Sequence, residues 1–315
     1  MNARLTPRLA LLLVLPPLLW AGNAVVGRLA AGQVPPVALN ALRWLLALLI
    51  LLPIGWSAIG TARARREVLS RWRPLALLGL FGIGTYNALQ YLALTTSSAL
   101  NVTLILSSTP VWMLIIGALV YRERPSRRAM AGAALSLAGV AVVLTRGDLS
   151  QLASVRFVPG DLLMLAGAFV WACYSWLLAR LPASLAPGGR PDWDWAAFLL
   201  VQVMFGAAWA AVWAGIEAAV APAPILWSPW VLVALVYVAV GPSLIAYRCW
   251  GLGVAAVGPA IAGLFANLTP LFAAVLSALL VGEMPRPFHG AAFLLIVAGI
   301  LVSTRPARPA QVSSR

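Results

Sequence analysis

Arg43 sits in an otherwise apolar run between Leu42 and Trp44. It falls eight residues after Pro35, ~12 Å along a helix that starts there. A cation in such surroundings is costly unless it is hydrated or paired, so it is a functional candidate by default. Its planar fork could hold a carboxylate through two parallel bonds. The alternative is a structural arginine tied to helix-end carbonyls. Gln202, midway along a later apolar run, is the candidate polar counterpart of Arg43.

A second group of candidates clusters in Thr85–Tyr91. On a helix, Tyr86 and Gln90 share one stripe, and Asn87 and Tyr91 share the next. Trp20 with Asn23, Asn101, Trp171 with Tyr174, Tyr247 and Asn267 are comparable polar or aromatic residues in apolar stretches. Amides and rings of this kind suit a wall that contacts substrate; the alternative is hydrogen bonding between helices, worth under ~1–2 kcal/mol per contact. Pro110 and Pro270 each remove one N–H and crowd the carbonyl four residues earlier, at Leu106 and Ala266. They read equally as gate hinges or packing kinks. Glu123 and Glu283 each precede a proline by two residues and suit capping or pairing with arginine better than proton coupling.

Several chemistries are excluded. All 22 basic residues are arginine, so there is neither a P-loop lysine nor a Schiff-base lysine. A single histidine, His289, leaves no histidine-rich metal site, and Cys173 and Cys249 read as small buried hydrophobes. No cofactor is expected. A membrane enzyme would need a nucleophile–base pair, a metal cluster or a carboxylate dyad, and none is evident.

The elements that hold these residues follow from composition. Of 315 residues, 62% are hydrophobic and 10% charged, against roughly 25% charged in soluble domains; the mean hydropathy is +0.94. Such a chain cannot cover itself with polar surface, so one partner is a lipid bilayer; the other, a small-molecule substrate, is what the aromatic and amide wall would contact. The apolar runs do not alternate as barrel strands do. They predict ten transmembrane helices, near Leu9–Leu29, Pro36–Ile54, Pro74–Leu94, Ala99–Tyr121, Ala129–Leu144, Gly160–Ala179, Trp195–Ile216, Trp230–Trp250, Val257–Val281 and His289–Thr304. The first apolar run extends to Leu29 without a clear cleavage site, which favours an uncleaved helix over a signal peptide. With both termini on one side, that side holds seventeen arginines and the other four. The positive-inside rule then places both termini in the cytoplasm and explains the net charge of +14 without nucleic acid.

A shift of 160 residues lays Ala99–Val142 on Pro259–Val302 without a gap, with twelve of 44 positions identical. The matches include Thr109/Thr269, Pro110/Pro270, Glu123/Glu283 and Pro125/Pro285. The same shift carries Asn87 to Tyr247 and Gln90 to Trp250. Five spans per half invert the second half relative to the first, an arrangement common in secondary transporters. The expected organisation is a first repeat at 1–146, an external linker at 147–159, a second repeat at 160–305 and a cytoplasmic tail at 306–315.

Trp20-Ala21-Gly22-Asn23, Leu42-Arg43-Trp44, and Pro110 to Glu123 with its copy Pro270 to Glu283 carry a family resemblance. Over nearly its whole length the chain resembles EamA-type members of the drug/metabolite transporter superfamily. The resemblance implies two inverted five-helix halves and a pathway lined mainly by the first, third, fourth, sixth, eighth and ninth spans. It also implies movement of small metabolites, frequently export of amino acids. An aromatic and amide wall without acids or an arginine cluster suits a neutral or aromatic amino acid. The alternatives are a nucleoside, vitamin or cationic drug, or a non-transporting enzyme or scaffold. Monomer and homodimer stay equally open.

Overall fold

The computed structural model describes residues 6–30, 32–97, 102, 105–154, 158–281 and 286–304. Among them the regular structure is entirely helical. The helices are α1 (Pro7–Ala30), α2 (Pro36–Ile54), the short α3 (Ala62–Ser70), α4 (Trp72–Thr96), α5 (Thr109–Leu119) and α6 (Arg127–Leu144). Then come α7 (Pro159–Ala179), α8 (Trp195–Val220), α9 (Pro229–Val257), α10 (Pro259–Ala266), α11 (Thr269–Val281) and α12 (Pro287–Thr304). Eight helical stretches among the described residues are long and apolar enough to cross a membrane, and α5 is a shorter apolar helix. Apolar side chains such as Leu49, Leu162, Val233 and Leu294 point outward, as they would toward lipid.

Two ends of the bundle are fixed by loop contacts. At one, Arg71 donates from Nε to the Ser184 carbonyl at 2.8 Å and from an Nη to the Gly189 carbonyl at 3.1 Å, and Glu123 pairs with Arg180. At the other, the Leu226 amide donates to the Gln33 carbonyl at 2.8 Å. There Glu217, on α8, accepts from the amides of Val37 at 2.9 Å and Ala38 at 2.8 Å. The α2 terminus begins Pro35-Pro36 and has no side-chain cap of its own. A carboxylate from a neighbouring helix therefore serves its unpaired donors and meets its positive dipole end.

α6 and α12 pack closely along small residues. A Cβ on Gly132 would lie 2.5 Å from the Gly299 carbonyl oxygen, and one on Gly299 would lie 2.6 Å from that of Gly132. Without side chains the backbones approach to a distance that larger residues forbid.

The two prolines mark breaks in the helical path rather than bends. Pro110 and Pro270 do not kink continuous helices; each is the second residue of a new one, α5 and α11, after a turn at 107–108 or 267–268. There the missing N–H costs nothing. The carbonyls of Leu106 and Ala266 are accepted partners of the Thr109 and Thr269 hydroxyls, the latter at 2.7 Å. α5 begins at the same spacing from α11 as α6 does from α12.

Candidate functional site

α4 and α9 each contain one wide turn, at Leu80–Thr85 and Ala239–Ile245, with the π-helical pattern. Such turns leave carbonyls without helical partners and recur at functional sites. Here side chains, most of them from other helices, supply the missing donors. Tyr247 on α9 donates its hydroxyl to the Gly82 carbonyl. Asn40 on α2 reaches the carbonyls of Ile83 and Gly84 at 3.5 and 3.4 Å. In α9, the Ser243 hydroxyl closes on the Val238 carbonyl at 2.7 Å, and the Trp20 indole donates to the Pro242 carbonyl at 3.3 Å. Gly82 permits the approach of α7, since a Cβ there would stand 2.5 Å from the Tyr174 ring.

Arg43 lies between the two wide turns and is 1% exposed. Its Nε donates to Ser243 Oγ at 3.0 Å. One terminal nitrogen faces three oxygens: Asn23 Oδ1 at 3.4 Å, Asn87 Oδ1 at 3.3 Å and the Tyr91 hydroxyl at 3.2 Å. The guanidinium carbon also lies 5.2 Å from the Trp44 ring centroid. Every hydrogen-bonding partner is neutral, and among the described residues no carboxylate pairs with it. These partners are side-chain groups, not the helix-end carbonyls that a structural arginine would take. The resemblance gave α2 no lining role, yet Arg43 reaches the centre.

Beside Arg43 is a cluster of rings. Trp171 lies 5.3 Å from Trp20, 4.8 Å from Tyr86, 5.2 Å from Tyr174, 5.6 Å from Tyr247 and 5.5 Å from Trp250, between ring centroids. Its edge-on and tilted partners are the favourable arrangements for aromatic pairs. Trp44 meets Tyr247 edge-on at 4.9 Å, so ring cluster and guanidinium share a border. The Trp250 indole donates to Ser175 Oγ at 3.2 Å.

Of the residues singled out in the sequence, Trp20, Asn23, Arg43, Tyr86, Asn87, Trp171, Tyr174 and Tyr247 come together here. Others go elsewhere. Gln90 is half-buried and makes no side-chain hydrogen bond among the described residues. Asn267 donates to Ser136 Oγ on α6 at 2.9 Å. Gln202 is buried but donates to the Phe198 carbonyl of its own helix at 3.1 Å, and its Oε1 has no partner among the described residues; it does not mirror the Arg43 network. Glu123 pairs with Arg180 in an exposed position, while the N-cap of α6 is Ser126, which accepts from the Ala129 amide at 3.1 Å. Asn101 and Glu283 lie outside the described residues. Ser243 and Trp250 had not been singled out as binding residues. The repeat offset, which aligns Trp250 with Gln90, was the available signal for the latter.

A separate cavity of about 730 Å³ opens beside the Glu217 carboxylate, bordered by Pro36, Thr85, Leu89, Leu92 and Trp213. Its walls are mostly apolar, and the Thr85 hydroxyl oxygen on its border is buried and has no partner among the described residues.

A helical bundle with this many membrane-length apolar helices, and a polar and aromatic site built between them, defines a multi-pass membrane protein of the transporter class. The chain belongs to the EamA-like transporter family, whose model matches residues 8–145 and 158–305. An uncharacterized transporter of Archaeoglobus fulgidus is 26% identical over 294 residues, covering 93% of this chain and 96% of that protein. The aromatic amino acid exporter YddG of Ancylobacter novellus is 26% identical over 297 residues, covering 92% and 95%. A solved crystal structure superposes with a TM-score of 0.72 at 24% identity, covering 94% of this chain and 97% of that one; that likeness concerns the fold. Family and relatives together mark a small-metabolite transporter rather than an enzyme.

Proposed function

We propose that the protein exports neutral or aromatic amino acids, or close derivatives, across a bacterial inner membrane by alternating access. Two inverted five-helix halves, residues 1–146 and 160–305, rock about the aromatic and amide cluster, with the external linker 147–159 between them. Both termini and the tail 306–315 face the cytoplasm. The observation that carries the reading is the convergence of Trp20, Asn23, Tyr86 and Asn87 with Trp171, Tyr174 and Tyr247. Rings supply apolar contact, and amides supply donors and acceptors for a small zwitterion. The similarity to an aromatic amino acid exporter supports the same class. The equal spacing of α5–α11 and α6–α12 supports the repeat.

The test is flux. Proteoliposomes holding the protein should move labelled phenylalanine or tryptophan faster than empty liposomes do. If none of the twenty amino acids moves while a nucleoside, sugar or cationic drug does, the amino-acid assignment fails. Reporter fusions after Arg73 and Arg128 should read cytoplasm, and those near Asp148 and Arg286 exterior. The reverse pattern would sink the inverted arrangement.

A further inference from the structure

Arg43 is a cation at the centre of the bundle, and among the described residues its hydrogen-bonding partners are all neutral oxygens. Several kcal/mol of desolvation attend each buried ion, and full compensation needs an opposite charge in good geometry. The present shell is loose. The three oxygens that crowd one terminal nitrogen stand at 3.2–3.4 Å, whereas charge-assisted N–H···O⁻ bonds close to ≈ 2.7–2.9 Å. Two of those oxygens belong to the amides of Asn23 and Asn87, side chains that have the shape of a carboxylate and lack its charge. The ring cluster begins on the same border, through Trp44 and Tyr247.

Resting on the amino-acid reading above, we propose that Arg43 is the receptor for the substrate's carboxylate, and that Asn23 and Asn87 hold its place when the site is empty. A free carboxylate is then the obligatory feature of the substrate, and the ring cluster takes the apolar side chain. The bond to Ser243 orients the guanidinium through Nε and leaves its other edge to the ligand. That bond also ties Arg43 to the wide turn of α9, so a carboxylate arriving on α2 acts on both halves of the chain.

The experiment is a binding comparison on the full-length protein in lipid nanodiscs, read by thermal shift. The probes are L-phenylalanine, 3-phenylpropionate, phenylalanine amide, phenethylamine and sodium chloride. The two carboxylates should bind about tenfold or more tightly than the two compounds without one, the range of a hydrogen bond to a charged group. Asn87→Asp, isosteric and so expected to fold, should raise the melting temperature by giving Arg43 an internal counter-ion. It should also abolish the preference for carboxylates. Arg43→Gln should abolish the preference without the gain in stability, and Arg43→Lys should keep part of it. Equal binding of phenethylamine and 3-phenylpropionate by the unaltered protein overturns the proposal. So does an unchanged preference in Asn87→Asp, or an equal shift with chloride. Failure of amino-acid flux with 3-phenylpropionate still bound through Arg43 would defeat the export reading and leave the carboxylate site standing.

Discussion

The two halves of the chain bring unlike polar chemistry to one centre, while both supply rings, Trp20 and Tyr86 from the first and Trp171, Tyr174, Tyr247 and Trp250 from the second. From α1, α2 and α4 come the guanidinium of Arg43, the amides of Asn23 and Asn87 and the Tyr91 phenol. From α7 and α9 come Trp171, Tyr174, Tyr247 and Trp250, with Ser243 the one polar group that reaches across to Arg43. The backbone device is shared, one wide turn in α4 and one in α9, but it is stabilised differently. The α4 turn relies on donors from other helices, Tyr247 and Asn40. The α9 turn contains Pro242, which lacks an N–H, and takes donors both from its own Ser243 and from Trp20 of α1. Between the two wide turns the site has a polar side around Arg43 and an aromatic side around Trp171, which suits a ligand with unlike ends.

Trp171→Ala tests the aromatic side and should have the largest effect. It empties the middle of five ring contacts, and truncation of a buried tryptophan costs about 3–5 kcal/mol. A lower melting temperature and a raised KM for aromatic substrates should appear together; loss of stability with unchanged KM would make the cluster mere packing. Ser243→Ala comes next. It removes a partner from Arg43 Nε and from the Val238 carbonyl, worth about 1–3 kcal/mol when buried groups are left unsatisfied. Asn40→Ala should cost less, about 1 kcal/mol, because its two bonds to the α4 turn are long. Equal losses in these two variants would show that the turns depend on their donors alike. Glu123→Gln should be smallest. Its pair with Arg180 is solvent-exposed, and such pairs contribute about 0–1 kcal/mol. Thermal unfolding should shift little and less so at high salt; loss of pH-driven transport at normal yield would instead make Glu123 a coupling group.

Much of the site was legible because rings and amides are conspicuous in apolar helices. Trp20, Asn23, Tyr86, Asn87, Trp171, Tyr174 and Tyr247 could be named from residue type alone. What they face could not. Helical periodicity puts Asn87 and Gln90 on neighbouring stripes of one helix, but only the packing of α4 against α2 and α7 decides that Asn87 meets Arg43 while Gln90 makes no side-chain hydrogen bond among the described residues. Asn267 looked equivalent and turned to Ser136 instead. The wide turns were hidden because Phe81-Gly82-Ile83-Gly84 and Gly241-Pro242-Ser243 read as ordinary apolar sequence with small residues. The prolines were seen, together with the carbonyls they disturb. Whether a proline bends a helix or begins one depends on whether the preceding turn finds other partners, and here the hydroxyls of Thr109 and Thr269 provide them.

The grip of Glu217 on the start of α2 has a consequence for hydrogen exchange. Amides in the first turn of a helix lack intrahelical acceptors and ordinarily exchange quickly with solvent. Here Pro36 has no amide hydrogen, Val37 and Ala38 are bonded to the carboxylate of α8, and Leu39 donates to the Pro35 carbonyl at 2.8 Å. Deuterium should therefore enter at Val37 and Ala38 only when α2 and α8 separate at that end. Those two amides are a built-in clock for the parting of the helix that carries Arg43 from its neighbour, readable without an attached probe and without knowledge of the substrate.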